Sequence, residues 1–320
     1  MVLATAILVP AASAQMEPPP VFVREFGPVG SGPGELLGAR GISATPDGIL
    51  FVADSFADRV VEFDSTGVFL GQWGTTGALP GQLDYPLDIE CDPWGGVYVV
   101  DNGNHRVQKF TREGQFLLQW GSAGTDPGQF VTPWGLGVGP DGSVYVGDLF
   151  DGRIQRFTAD GVFLNQWGSQ GNGPGEFENP IGITVDASGS VFVSDGAAQY
   201  VQKFTPAGQL LARWGGRGAA PGQFSTPFGI ACDPQGNVIV ADHHNFRMQK
   251  FTNDGTFLSM WGSKGTGPGQ FASSHGMAID RGGRIYILDF GQEGFVQTYV
   301  YPPLGVRSVS LSEVKSLYRR

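Results

Sequence analysis

The sequence predicts an all-β fold, a six-bladed β-propeller of four-stranded antiparallel blades, and three columns of residues carry that prediction. Trp-Gly pairs begin at Trp73, Trp120, Trp167, Trp214 and Trp261, 47 residues apart, as from 73 to 120. An aspartate column keeps the same interval through Asp54, Asp101, Asp148, Asp195, Asp242 and Asp289. Pro33, Pro80, Pro127, Pro174, Pro221 and Pro268, each followed by Gly, form the third. One interval before Trp73 lies Phe26-Gly27, a sixth copy with Phe in place of Trp. Units of this length that repeat in strict register are supersecondary modules, and radial arrays of four short strands are propeller blades.

Within a copy, four runs alternate apolar and polar residues as half-buried strands do. In the third copy they are Leu136–Val138, Ser143–Val146, Arg153–Phe157 and Val162–Trp167. Glycine marks the first hairpin at 48, 95, 142, 189, 236 and 283, and the second at 67, 114, 161, 208 and 255. Tight hairpins need a residue with positive φ, which glycine adopts without steric cost. In the sixth copy Pro302 replaces the second hairpin glycine, and no fourth strand follows. Val21–Phe26 is a spare fourth strand at the other end, so the ring is expected to close by pairing it into the last blade. Closure removes the exposed sheet edges that invite aggregation.

Around this core, residues 1–14 read as a secretory signal peptide, 15–20 as a linker, 21–302 as the propeller and 303–320 as a tail. The apolar Met1–Pro10 followed by Ala12-Ser13-Ala14 matches an h-region and an A-x-A cleavage site, although no Lys or Arg precedes it. A secreted or periplasmic location is therefore expected, with no membrane-spanning helix after the leader. In the tail, Ser312 can cap a short helix with Val314, Leu317 and Tyr318 on one side.

Gly (51) and Pro (22) are abundant, yet aromatics reach 12%, which separates the chain from disordered sequences. A net charge of −10 with scattered basic residues argues against nucleic acid as a partner. Cys91 and Cys232 occupy the same column, shared with Ala44, Val138, Val185 and Ile279, three copies apart. Opposite blades cannot bring Cα atoms within the roughly 7 Å a disulfide needs, so both are expected to be free, buried thiols.

The string Val99-Val100-Asp101-Asn102-Gly103-Asn104-His105-Arg106-Val107-Gln108-Lys109-Phe110, with Pro180-Ile181-Gly182-Ile183-Thr184-Val185-Asp186, resembles the NHL repeat. The resemblance spans about residues 21–301 and implies the propeller fold. It implies no single activity: the family includes extracellular sensor domains, protein- and RNA-binding modules, and a zinc-dependent lyase. Function on a shared fold must be read from a site.

Residues present in every blade maintain the blade, so the column aspartates are read as turn-capping acceptors at a strand end. Arg59, Arg106, Arg153 and Arg247 are read as structural, and the column tryptophans as inter-blade packing. A site is expected where the copies disagree. The position opening each innermost strand reads Arg40, Leu87, Trp134, Ile181, Phe228 and His275, followed by Gly in every copy except the second, which has Asp88. The loops after the column Asp add Phe56, Phe150, Tyr200, His243, His244, Phe246, Phe290 and Glu293. The candidate ligand-binding residues are therefore Arg40, Trp134, Phe228, His275, Phe150 and Phe246, on an aromatic face suited to a protein, peptide or glycan.

The leading expectation is a monomeric, non-enzymatic binding scaffold without a cofactor. The alternative is a metal-dependent lyase or hydrolase using zinc or another divalent ion on His243, His244 and His275, with Arg40 holding a substrate carboxylate. A third reading is an array that packs against other envelope proteins.

Overall fold

The computed structural model describes residues 17–290 and 295–302. The signal-peptide segment through residue 14, Glu293 and the tail helix lie outside the described residues. Six four-stranded antiparallel sheets form the ring. Blade 1 runs Ala39–Ala44, Leu50–Asp54, Arg59–Phe63 and Phe69–Trp73 from the channel outward, and blades 2 to 5 repeat that order. The innermost strands of blades 2 to 6 are Pro86–Cys91, Pro133–Val138, Pro180–Val185, Pro227–Cys232 and Ser274–Ile279.

Blade 6 is built from both ends of the described chain. Val21–Phe26 pairs antiparallel with Phe295–Val300, from Val21 opposite Val300 to Phe26 opposite Val296. One core cluster then crosses the closure, joining Leu50, Val52, Val61 and Phe63 of blade 1 to Tyr286, Leu288 and Val296 of blade 6. Such fully buried apolar side chains each contribute about 1.5–3 kcal/mol, so the closing interface is as much a core as any other.

The two glycine-bearing positions next to the aromatic columns have a steric cause beyond their turns. A Cβ at Gly161 would lie 2.7 Å from the Trp120 ring, and at Gly255 2.7 Å from that of Trp214. Trp73, Trp120, Trp167 and Trp214 thus each rest on the second hairpin of the following blade, and Phe26 does the same on Gly67. On the innermost strands, a Cβ at Gly135, Gly182, Gly229 or Gly276 would lie within 2.2 to 2.4 Å of the carbonyl oxygen of Ile181, Phe228, His275 or Arg40. The inner strands therefore approach backbone to backbone around the channel. Asp88 breaks the column because its carboxylate reaches across the gap and accepts a 2.8 Å hydrogen bond from the Leu136 amide of blade 3.

The column aspartates do more than cap a turn. Asp54 accepts from the amides of Leu37 and Gly38, and Asp148 from Val131 and Thr132, in the loop that leads into the innermost strand of the same blade. Asp195 alone also caps its own turn, through Ala197 and Ala198. Arg59, Arg106 and Arg247 pair with their blade's aspartate at 3.0, 2.7 and 2.8 Å. Their outer nitrogens hold loop carbonyls, such as Ser31 and Glu35 for Arg59. The lock fixes both long loops of a blade on one face, where the candidate residues sit.

Candidate functional site

Antiparallel order places the loops before the innermost strands and those after the column Asp on the same face, around the channel mouth. Arg40, Leu87, Trp134, Ile181, Phe228 and His275 line the channel together with Asp88 and Glu90. The free space inside is about 40 Å³. That is room for water and far below the several hundred Å³ of an organic-ligand pocket.

At the mouth the side chains form a connected arc of rings. His243 packs 4.8 Å from Phe228 and 5.2 Å from His275, and His275 lies 6.5 Å from Phe290. Phe290 meets Phe56 at 5.9 Å, and Phe56 stacks on Tyr85 at 5.8 Å. Arg40 sits inside this arc, its Cζ 5.9 Å from the centre of Phe56, 5.6 Å from Tyr85 and 5.8 Å from Trp134. Rings from three blades thus hold one guanidinium by cation–π attraction. Among the described residues Arg40 has no carboxylate or carbonyl partner, although its five N–H groups are built to take one.

The structure brings together four of the six candidate ligand-binding residues, Arg40, Trp134, Phe228 and His275. Phe150 is exposed and makes no ring contact with them among the described residues. Phe246 stands apart from them: it occupies the left-handed position before the Arg column (φ 56°) and packs on the core of Met248, Trp261 and Phe271 under Lys264. Tyr85 and Glu90 join the site unforeseen, and Asp88, the break in the glycine column, lines the channel with them. Glu90 stands two residues after Asp88 on a strand and so shares its face. Cys91 and Cys232 are free as expected, but half-buried rather than buried.

The three clustered histidines do not converge on a point. The Nδ1 of His243 donates to the Ser274 carbonyl at 2.8 Å, and that of His244 bonds the Thr226 hydroxyl at 2.7 Å. His275 Nε2 bonds the Ser273 hydroxyl at 3.2 Å. Among the described residues, no three His, Cys, Asp or Glu side chains are arranged to hold a metal ion.

Burial disfavours the charged forms of His275, His243, Asp88 and Glu90. The His275 pKa falls to about 3, first through burial and then through Arg40 and His243, and that of His243 is lowered for the same leading reason. Burial pushes Glu90 up to about 7 and Asp88 well above the usual carboxylate range, with Glu90 adding to the rise at Asp88. The His275 shift has a measurable consequence. The unfolded chain takes up this proton near 6.5 and the folded ring only near 3, so the stability due to a neutral imidazole is whole above 6.5 and is lost as pH falls toward 3. Replacing His275 with Gln is expected to remove a few kcal/mol of the acid-dependent loss between pH 6.5 and 4 in urea titrations. Parallel pH profiles for wild type and variant would contradict it.

Two family models match the chain: the NHL repeat over residues 83–110 and a family described as a 6-bladed beta-propeller over residues 230–301. The chain is a six-bladed β-propeller that carries a match to the NHL repeat. Solved structures similar to this propeller include a streptogramin B lyase, 16% identical, covering 88% of this chain and 98% of that one at a TM-score of 0.64. A gluconolactonase from Xanthomonas campestris is 15% identical over 89% of this chain and 98% of its own, with a TM-score of 0.63. A catalytically inactive histidine-to-alanine variant of virginiamycin B lyase from Staphylococcus aureus, solved with quinupristin, is 16% identical over 83% and 85%, with a TM-score of 0.57. At these identities the likeness is one of fold. No curated protein matches the chain.

Among the described residues no helix is long and apolar enough to cross a membrane.

Proposed function

We propose that this propeller is a non-enzymatic, extracytoplasmic binding scaffold whose mouth captures a protein, peptide or glycan. The observation that carries the reading is the Arg40 guanidinium, held among Phe56, Tyr85 and Trp134 with no anionic partner among the described residues. A half-buried cation with unused donors is a recognition group, and aromatic rings around it supply contact area at low entropic cost. The export expected from the N-terminal sequence would put such a scaffold outside the cytoplasm. Within the ligand classes, a peptide with a free C-terminal carboxylate and an apolar last side chain matches cation and rings best.

The test is selection from a random peptide library with free C-termini, followed by titration of the selected peptides. Trp134→Ala combined with Phe228→Ala is expected to weaken binding about a hundredfold. The Tm should fall by only a few degrees. Collapse of the fold in that variant would assign both rings to the core and remove the proposed site. The relatives that are lyases keep an alternative in view, a metal-dependent lyase or hydrolase at His243, His244 and His275. Stoichiometric zinc in protein purified without a histidine tag would favour that alternative over the scaffold.

A further inference from the structure

The face opposite the mouth carries the first hairpins, and one of them is unlike the rest. At the turn position where the other blades place Asp47, Asp141, Ser188, Gln235 and Gly282, blade 2 has Trp94. Its indole is 68% exposed and its N–H makes no hydrogen bond among the described residues. The ring is nevertheless positioned, since a Cβ at Gly142 in the blade 3 hairpin would lie 3.2 Å from its Cζ3. No packing role accounts for a large apolar surface left in water at a hairpin tip.

Trp94 borders a hollow of about 700 Å³ between blades 1 and 2, whose floor and rim include Asp47, Lys109, Arg112, Glu113 and Leu117. A second hollow of about 400 Å³ adjoins it, sharing Arg112 and Glu113 and walled by Trp73 and Leu70. The two hollows form one elongated groove with an indole in each half. Its cations are already matched: Arg112 pairs with Asp47 at 2.6 Å across the blade boundary, and Lys109 stands 4.0 Å from Asp92. Glu113 keeps its carboxylate free of hydrogen bonds among the described residues.

These features select a ligand by elimination. An anion meets a free carboxylate and cations that are already spoken for. A cation finds a single exposed indole rather than a cage. A wholly apolar molecule would bury the Arg112–Asp47 pair and leave it without solvent. A pyranose ring carries an apolar C–H face for an indole and a rim of hydroxyls that donate to Glu113 and Asp47 and accept from Arg112. Two adjoining hollows that repeat an indole with a carboxylate match a chain of such rings. We propose that the groove of Trp94, Arg112, Glu113 and Trp73 binds a neutral, linear oligosaccharide, at a site separate from the mouth and independent of the reading given to it.

An array of neutral linear oligosaccharides, followed by calorimetry with cellohexaose and N-acetylchitohexaose on the full chain, tests this. Binding is expected to fall about tenfold or more in Trp94→Ala and to weaken in Glu113→Gln. Trp134→Ala with Phe228→Ala should leave it unchanged. Because Trp94 is exposed, its loss should not alter folding, and an unchanged thermal transition checks that. Absence of any array signal, or equal affinity in wild type and Trp94→Ala, would overturn the proposal. Loss of saccharide binding in the mouth variant would do so as well.

Discussion

Replacing Val21–Phe26 with a Gly-Ser linker of equal length is expected to abolish cooperative thermal unfolding of the whole ring. The segment supplies the outermost strand of blade 6, so its loss strips the pairing from Phe295–Val300 and exposes that strand as an edge. Phe22 loses its edge-on contact with Tyr299 at 5.9 Å, and Phe26 its contact with Phe63 at 5.1 Å. Buried Val23 and half-buried Phe22 and Phe26 together account for roughly 5 kcal/mol of apolar burial. Folded domains retain only about 5–15 kcal/mol in all. Phe26 also rests on Gly67, so the interface with blade 1 opens with it. A broad, aggregating transition by calorimetry is the expected record. A sharp transition within a few degrees of wild type would show that the ring holds without its closing strand.

The second large effect is expected from a single methyl group. In Gly229→Ala the new Cβ would lie 2.2 Å from the His275 carbonyl oxygen, a backbone atom that no rotamer change can move. Relief requires blades 5 and 6 to separate at the channel, and overpacking of this kind costs about 3 kcal/mol or more. Gly71→Ala is the matched control, since its nearest outside atom is the Glu62 carboxylate at 3.9 Å. That change should stay within about 0.5 kcal/mol. Equal stability of the two variants in urea would refute the close-approach argument. Asp88 shows how the same position behaves where the approach is looser: blade 2 carries a full side chain there and turns it into a hydrogen bond to blade 3.

The blades were legible in the sequence because each rests on local periodicity: a 47-residue interval, alternating strands and hairpin glycines in register. Ring closure was legible for the same reason, since Phe22 and Phe26 align with Phe69 and Trp73. The site was legible only as a set of positions where copies differ. Which of those side chains meet depends on loop conformation, and Phe246 illustrates the limit. Asp58, His105, Gly152 and Gln199 hold the same positive-φ place in their blades, so its ring is turned toward the core. Tyr85 escaped notice because it lies just before the strand, again at positive φ (53°), and reaches Arg40 across a blade boundary. The column aspartates were read correctly as scaffold, but their partners lie 16 and 17 residues upstream, beyond any turn signal.

The closing pair also sets how the molecule responds to tension. Val21 lies opposite Val300, so the outward-leading ends of both strands emerge at the same end of one antiparallel pair. A force pulling those ends apart would load the backbone hydrogen bonds one after another, in the manner of a zipper, and not all at once in shear. Blade 6 would peel at low force, and the remaining five blades would follow only after the ring had opened. A propeller tethered through its two ends is thus a weak mechanical link, whereas one gripped through its loops presents every blade to the load together.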